Sequence, residues 1–220
     1  MSKIVFITGA SSGIGAACAR KFAKEGYTLL LNARSEDKLQ ALKTELENAY
    51  STDILLLPFD VRDREAAAKA LATLPDSHQA IDVLVNNAGL ALGMDKEYEG
   101  TEENYDTMID TNITALLMIT RLVVPGMVKR GKGHIINIGS VAGDAAYPGG
   151  SVYCATKAAV KVLSDGLRMD LVDTPLRVTN VKPGLVETNF SVTRFGGDKE
   201  RADKVYQGIK PLLRRLIASG

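Results

Sequence analysis

The stretch Thr8-Gly-Ala-Ser-Ser-Gly-Ile-Gly15 decides the fold, because it joins a short apolar run directly to an amphipathic one. Its glycine spacing, GxxxGxG, differs from the common GxGxxG fingerprint but supplies the same tight turn and bare backbone amides. A helix that begins at such a turn directs the positive end of its dipole at an anion in the loop. A tight turn that binds nothing is the alternative interpretation. We expect the phosphates of a dinucleotide at Gly9, Ser11, Ser12, Gly13, Ile14 and Gly15.

Short apolar runs alternate with longer amphipathic ones along the rest of the chain. The short runs are apolar throughout, as strands covered on both faces are. Parallel strands need crossover connections, which helices supply, so the alternation predicts an α/β fold with a doubly wound (Rossmann) parallel sheet and helices on both faces. The predicted strands are residues 3–8, 28–32, 54–58, 81–86, 134–139 and 177–183; the predicted helices are residues 13–25, 36–48, 64–74, 103–129 and 153–171. Pro125 should kink or end the fourth of these helices.

The composition excludes several classes of protein. A chain of 220 residues has room for one sizeable core, so we treat residues 1–220 as a single domain. The net charge of +1 argues against a nucleic-acid partner. The apolar stretches fall short of the ~20 residues that a membrane span needs, and no export signal is visible. Cys18 and Cys154 are far apart and lack metal-ligand spacing, which favours a reducing cytoplasm over a disulfide or a metal site.

The end of the second predicted strand, Leu31-Asn-Ala-Arg-Ser35, bears on the choice of cofactor. Proteins specific for NAD usually carry an acidic residue here, which binds the ribose 2′-hydroxyl. Arg34 and Ser35 stand near that place instead, and a guanidinium suits a 2′-phosphate by its charge and its forked donors. We therefore expect NADP(H). The alternative is that Arg34 is an ordinary solvated charge.

Ser140, Tyr153 and Lys157, with Asn112 upstream, form the candidate reacting end. Tyr153 and Lys157 are four residues apart at the start of a predicted helix, so they share one face. Bringing a tyrosine pKa from about 10 to about 7 needs roughly 4 kcal/mol, and we expect the lysine charge to supply it. Tyr153 would then exchange a proton with a substrate oxygen that Ser140 orients. A tyrosine and lysine at this spacing are common by chance, so the prediction depends on the whole combination.

These motifs together resemble the short-chain dehydrogenase/reductase family. The matching segments are Thr8 to Gly15, Asp60-Val61, Asn86-Asn-Ala-Gly89, Asn112, Ser140, Tyr153-Cys-Ala-Thr-Lys157 and Pro183-Gly184, followed by Thr188, in the family's order. The resemblance implies that Asp60 and Val61 lie at the adenine, that Asn87, Ala88 and Gly89 lie along the cofactor with Tyr153 and Lys157, and that Pro183, Gly184, Val186 and Thr188 surround the nicotinamide. It also implies that Asn112 holds a water near Lys157 in a proton relay. Plain turns at residues 86–89 and 183–184 are the structural alternative.

Within the family, residues 88–93, 125–128 and 186–198 are similar to NADP-dependent 3-hydroxy acid (serine-type) dehydrogenases, which oxidise the β-carbon of serine and related acids. Arg194 lies in the segment that would cover the substrate, so it is a candidate clamp for a carboxylate alongside Ser140 and Tyr153. A solvated loop arginine is the alternative.

Residues 211–220 end the sequence where similar proteins continue for roughly thirty residues through another helix and a seventh strand. We therefore expect six strands. The usual family tetramer packs partly through the missing elements, so a homo-oligomer could be a dimer or a tetramer. The strand at residues 177–183 would then be an edge strand prone to aggregation.

Three functions fit these residues. The first is an active NADP(H)-dependent dehydrogenase or reductase of small hydroxy or oxo acids. The second, a reductase of 3-oxoacyl thioesters or other carbonyls, uses the same catalytic residues beneath a different lid. The third is a cofactor-binding protein without turnover, which the intact set of Ser140, Tyr153 and Lys157 argues against.

Overall fold

A six-stranded parallel sheet forms the centre of the molecule, in a computed structural model that describes residues 2–204 and 212–213. The strand order is β3-β2-β1-β4-β5-β6, and every neighbouring pair is parallel. The strands are β1 (Ile4–Ile7), β2 (Thr28–Ala33), β3 (Ile54–Pro58), β4 (Ile81–Asn86), β5 (His134–Ile138) and β6 (Arg177–Val181). The predicted fold class, with six strands in this sheet and β6 at its edge, is confirmed.

Successive side chains of the central strands enter two different cores, one on each face of the sheet. In β1, Phe6 belongs to the core on one face, whereas Val5 and Ile7 belong to the core on the other. In β2, Leu30 and Leu31 divide in the same way. Because both faces are covered, these strands are apolar at every position, which explains why the sequence shows continuous apolar runs.

Helices cover both faces. Those of the main fold are α1 (Gly13–Lys24), α2 (Glu36–Tyr50), α3 (Arg64–Ala72), α4 (Glu102–Ile109), α5 (Ala115–Arg130) and α6 (Ser151–Asp170). Buried alanines and leucines of α1 and α2 pack on the face that holds Val5 and Ile7. Buried residues of α3 and α5 pack on the opposite face. The predicted helices are confirmed to within two residues at most ends.

One π-helical turn, Asp110–Thr114, joins α4 and α5 into a continuous helix from Glu102 to Arg130. The helix continues through Pro125, so termination, one of the two outcomes predicted there, is wrong, while a kink stays a prediction. The buried neighbours Val124 and Met127 pack against the sheet. By length and composition alone this helix could cross a membrane, although no apolar stretch long enough was expected from the sequence. Its apolar side chains supply the core instead, as in the central helices of other α/β domains.

Four smaller elements that were not predicted from the sequence follow β6. They are β7 (Val186–Glu187), α7 (Phe190–Arg194), α8 (Lys199–Lys204) and β8 (Leu212–Leu213), and β7 pairs with β8 in parallel. These segments are too short to show a period in sequence. Apart from Leu212 and Leu213, the terminal segment of residues 211–220 discussed above lies outside the described residues.

Thr8 and Asn87 tie the loops after β1 and β4 together at the carboxyl edge of the sheet. The Thr8 hydroxyl accepts hydrogen bonds from the Asn87 and Ala88 amides, both at 3.0 Å. In return, Asn87 Nδ2 donates to the carbonyls of Thr8 and Gly9 at 2.9 and 3.0 Å. The two loops therefore hold each other in position, and Gly9, with φ of 64°, has no room for a side chain against Ala88.

Gly15 should tolerate no side chain, whereas Gly166 should. An added Cβ at Gly15 would overlap the Gly9 carbonyl, and at 2.5 Å it would also meet Asn87 Nδ2. We expect Gly15→Ala to lower the free energy of unfolding by about 1–3 kcal/mol, because overpacking displaces backbone. Gly166→Ala, on α6 with open space around it, should raise it by up to about 1 kcal/mol. Denaturant titration of both variants tests the difference; equal effects would contradict the packing described.

Candidate active site

A cavity of about 920 Å³ lies along the carboxyl edge of the sheet, at the upper end of the range for ligand pockets. It is lined by every site residue predicted from the sequence except Gly15 and Asn112: Gly9, Ser11, Ser12, Gly13, Ile14, Arg34, Ser35, Asp60, Val61, Asn87, Ala88, Gly89, Ser140, Tyr153, Lys157, Pro183, Gly184, Val186, Thr188 and Arg194. Residues 180 positions apart in sequence therefore meet in one site, as parallel strands that end at one edge require.

The first turn of α1 is left open to the cavity. Among the described residues, the Ser12 side chain caps no amide of α1, and the first turn carries no acidic residue. By contrast, Asp63 accepts a hydrogen bond from the Ala66 amide at the start of α3. Unsatisfied amides at a helix N-terminus bind anions, so this loop fits a pyrophosphate. Gly15 does not line the cavity, but its lack of a side chain allows α1 to approach Gly9 closely and so shapes the same loop.

Four cationic or polar groups, Arg34, Ser35, Lys38 and Arg62, surround the adenosine end of the cavity. Asp60 lies among them, and Arg62 donates to both of its carboxylate oxygens at 2.7 to 3.1 Å. These hydrogen bonds hold the pKa of the Asp60 carboxyl below its ordinary value. The net charge left here is positive, which fits a 2′-phosphate. Lys38 was missed in the sequence although it lies one turn after Arg34; Arg62 was missed because its pairing depends on the fold.

Ser140, Tyr153 and Lys157 converge at the other end. Ser140 follows β5, and its hydroxyl accepts a hydrogen bond from the Ala142 amide at 3.1 Å, which starts a short 3₁₀ turn. Tyr153 and Lys157 come from consecutive turns of α6, and their side chains are only 8% and 6% exposed. The Lys157 ammonium donates to the Ile138 carbonyl at 2.9 Å. The side chains predicted to act together do share one site.

The pKa of Tyr153 is raised to about 12, because burial disfavours the phenolate. A hydrogen bond with Ser140 opposes this shift, as does the charge of Arg194, but neither overcomes it. The expectation that Lys157 brings this pKa toward neutrality is therefore wrong for the chain alone. The ammonium faces the tyrosine ring, 5.9 Å from its centroid, and is bound to the Ile138 carbonyl. Burial, which depends on the fold, outweighs the spacing seen in sequence.

Burial also acts on Lys157, lowering the pKa of its ammonium from 10.5 to about 8. Space for this side chain comes from glycines: a Cβ at Gly89 would lie 3.4 Å from Lys157 Nζ, and one at Gly143 would lie 2.7 Å from the Lys157 backbone. The lysine is therefore charged at neutral pH but close to titration, which suits a group that passes protons.

Asn112 is 2% exposed and lies behind the cavity wall, within the π-helical turn. Its Nδ2 donates to the Leu90 carbonyl at 2.8 Å and to Thr156 Oγ1 at 3.0 Å, while its Oδ1 accepts from the Leu90 amide at 2.9 Å. Both side-chain donors are thus used to fix the Leu90 backbone against α6. The relay implied by the family resemblance stays a prediction, and the side-chain N–H groups of Asn112 are not free to hold its water.

Arg194, at the end of α7, is only 8% exposed. Its Nε donates to the Gly93 carbonyl at 2.8 Å, its Nη1 to the Tyr147 hydroxyl at 2.8 Å, and its Nη2 to the Gly149 carbonyl at 3.2 Å. The interpretation of a solvated loop arginine is therefore wrong. The sequence did not show this burial because the covering segments lie about 50 and 100 residues away. Tyr147, which also lines the cavity, was missed as well.

Comparisons with known proteins agree with this geometry. The family model for short chain dehydrogenases matches residues 3–198. An NADP-dependent 3-hydroxy acid dehydrogenase of Salmonella typhi is 49% identical over 210 residues, which cover 95% of this chain and 83% of that protein. A serine 3-dehydrogenase of Agrobacterium fabrum is 44% identical over 219 residues, covering 100% and 86%. A solved structure of the closed form of serine dehydrogenase, complexed with NADP⁺, matches with a TM-score of 0.93 at 47% identity, covering 98% and 86%.

Burial of Lys157 should lower stability at neutral pH. The unfolded chain binds this proton more tightly, so stability is lower below about pH 8 and rises as pH increases from about 8 to 10.5. The pKa shift corresponds to a loss of about 3 kcal/mol in the free energy of unfolding at neutral pH. Replacing Lys157 by methionine would regain this, less about 1 kcal/mol for the lost hydrogen bond to the Ile138 carbonyl.

We therefore expect Lys157→Met to have a free energy of unfolding about 2 kcal/mol higher than the parent at pH 7 and to lose the rise between pH 8 and 10.5. Lys161→Met, an exposed position on the same helix, is the control. A Lys157→Met protein that is less stable at pH 7 and keeps that rise would contradict the burial argument.

Arg34 should distinguish NADPH from NADH. A hydrogen bond between charged groups contributes about 1.5–3 kcal/mol, so we expect Arg34→Ala to weaken NADPH binding by roughly 10- to 100-fold and NADH binding by less than about threefold. Arg177→Ala, an exposed arginine at the amino end of β6, should change neither. Fluorescence titration with both nucleotides measures the effect, and equal losses for the two would place the 2′-phosphate elsewhere.

Proposed function

This chain belongs to the short-chain dehydrogenase family, and on that premise we propose that it transfers a hydride between NADP(H) and the alcohol or carbonyl carbon of a small 3-hydroxy acid such as serine. It is an NADP-dependent oxidoreductase, like the relatives that match it over nearly the whole chain. One observation carries the proposal: Ser140, Tyr153 and Lys157 line the same cavity as the open glycine loop.

The residues around the cavity fit NADP(H) along its whole length. The uncapped start of α1 would hold the pyrophosphate, and Arg34, Ser35 and Lys38 would hold the 2′-phosphate. Asp60 and Val61 would border the adenine. Residues 87–89 and 183–188 would border the remaining length. When bound, the nicotinamide supplies or accepts the hydride.

Tyr153 would act as the proton carrier. With its pKa raised to about 12, the phenol is protonated at neutral pH, so it is ready to give its proton to a carbonyl oxygen during reduction. Ser140, which lies close enough to the phenol to lower its pKa, would bind the same oxygen and orient it. Lys157, buried one turn away, would return a proton to Tyr153, since its pKa of about 8 lets it exchange with solvent near neutrality.

The charge on the cavity wall favours a small acid over an uncharged acyl thioester. Arg194 places a buried positive charge on the cavity wall, and its charge reaches the Tyr153 phenol, whose pKa it lowers. A carboxylate near the reacting carbon would be attracted to this charge. We take Arg194, with Ser140 and Tyr153, as the substrate-binding set.

We infer the remaining properties from the same residues. The two cores lie on the two faces of one sheet, so we propose that residues 1–220 form a single dinucleotide-binding and catalytic domain. The near-neutral charge and the two free cysteines support a cytoplasmic protein whose partner is a small molecule, with neither nucleic acid nor membrane involved. A homo-oligomer, dimer or tetramer, is the assembly that we expect.

A direct assay separates the candidate reactions. NADP⁺ reduction is measured with serine and a series of 3-hydroxy acids, and NADPH oxidation is measured with acetoacetyl thioesters, each by absorbance of the reduced cofactor. The proposal expects turnover with the hydroxy acids. Turnover with thioesters alone would contradict it, as would tight NADPH binding with no turnover of either class.

Tyr153→Phe should greatly lower the turnover rate while leaving cofactor binding intact. Removing a general acid lowers rates by about 10²- to 10⁴-fold, and the phenyl ring keeps the packing against Phe190. In the parent protein, oxidation should accelerate as pH rises, because Tyr153 must lose its proton, whereas reduction should vary little between about pH 6 and 8. Stopped-flow rates in both directions, with NADPH titration as the control, test this. Turnover of Tyr153→Phe at the parent rate would refute the assignment.

A further inference from the structure

We propose that Tyr147 is a second anchor for the substrate's carboxylate, its hydroxyl donating a hydrogen bond to the same group that Arg194 binds. The inference rests on the proposed function and refines it, since it makes Tyr147 a residue that selects acids over neutral alcohols. Neither the sequence motifs nor the similarity to the relatives assigns it this role.

The Tyr147 hydroxyl has a proton to donate. In its contact with Arg194 the hydroxyl oxygen accepts, since a guanidinium can only donate. The phenolic proton therefore points elsewhere, and no residue of the described part of the chain accepts it. Tyr147 lines the cavity, so a substrate in that space could accept this proton.

Arg194 has spare donors beside that hydroxyl. Three of its five N–H groups are used, on the carbonyls of Gly93 and Gly149 and on the Tyr147 hydroxyl. The guanidinium also lies over the Tyr147 ring, 5.4 Å from its centroid. The three contacts fix the orientation of the fork, and two N–H groups are left adjacent to a phenolic O–H. Together they form a compact set of donors suited to one carboxylate.

The charge balance calls for an anion at this place. Arg194 is buried, yet it forms no ion pair with any carboxylate of the described residues. Among the described residues that line this cavity, Asp60 is the acidic one, and Arg62 already pairs with it at the adenosine end. Asp95 borders a small neighbouring pocket together with Arg194 but forms no ion pair with it. A buried, unpaired cation is unfavourable, so a substrate carboxylate would supply the missing counter-charge.

The packing of Tyr147 fixes its direction. Gly150 lies so close beneath the tyrosine ring that an added Cβ there would overlap ring carbons. Gly149, with φ of 72°, adopts a left-handed conformation and approaches the Met94 backbone closely. The ring therefore packs against Gly150, the residue that caps the amino end of α6, the helix that carries Tyr153. Tyr147, the proposed carboxylate anchor, and Tyr153, the proposed proton carrier, thus both lie at the amino end of α6. This arrangement suits a short substrate with its acid and alcohol groups on nearby carbons.

The test compares a 3-hydroxy acid with its methyl ester, which keeps the reacting carbon but removes the charge. For Tyr147→Phe we expect the KM of the acid to rise roughly 10- to 100-fold, with kcat within about twofold and the KM of the ester unchanged. Tyr98→Phe, whose ring is 80% exposed and outside the cavity, is the matched control and should change nothing. NADPH affinity should equal that of the parent, and the melting temperature should fall only slightly, because Arg194 Nη1 loses its acceptor.

Other outcomes overturn the inference in distinguishable ways. If the KM values of acid and ester rise equally, Tyr147 only positions Arg194 and α7. If neither changes, the hydroxyl does not contact the substrate. If the parent protein oxidises neither the acid nor the ester, the proposed function fails and the anchor fails with it.

Discussion

The burial of the Lys157 ammonium is the constraint on which the rest of the site depends. An amine in a protein interior needs a hydrogen-bond acceptor and space, and the chain supplies both from distant segments. The Ile138 carbonyl at the end of β5 accepts a hydrogen bond from this ammonium, while the absence of side chains at Gly89 and Gly143 leaves room for the lysine. These contacts bring the end of β5, the loop after β4 and the start of α6 together. Tyr153 and Ser140 are positioned as a consequence.

Polar side chains reinforce this edge of the sheet in a way that favours function over stability. Asn86, Asn137 and Asn180 are in register on β4, β5 and β6, and Asn86 donates to Asn137 at 2.9 Å, while Asn137 donates to Ser164 on α6. Leucines at these positions would leave no side-chain polar atom unsatisfied. With asparagine, the buried Oδ1 atoms of Asn86 and Asn180 have no hydrogen-bond partner among the described residues. The amides instead fix the strand register and the position of α6 beneath the site. Such sites are where proteins commonly accept a loss of stability.

The sheet and most of the cavity residues could be predicted from the sequence, but the pKa values of the side chains in the cavity could not. Continuous apolar runs and the glycine loop predict a parallel sheet, and the topology of such a sheet then dictates that strand ends meet. The pKa of Tyr153 depends on how much water the fold removes, which the spacing to Lys157 does not encode. Arg194 and Tyr147 meet only after α7 packs over the segment that precedes α6. The π-helical turn that carries Asn112 likewise has no period of its own to detect.

The most direct test of this account is the pKa of Lys157 itself, measured by NMR titration of selectively labelled lysine side chains, with Lys157→Met identifying the resonance. A buried ammonium bound to the Ile138 carbonyl predicts a midpoint of about 8 in the free protein. A midpoint near 10.5, the ordinary value for lysine, would mean that the amine is solvated. The arrangement of Ser140, Tyr153 and Lys157 described here would then be wrong.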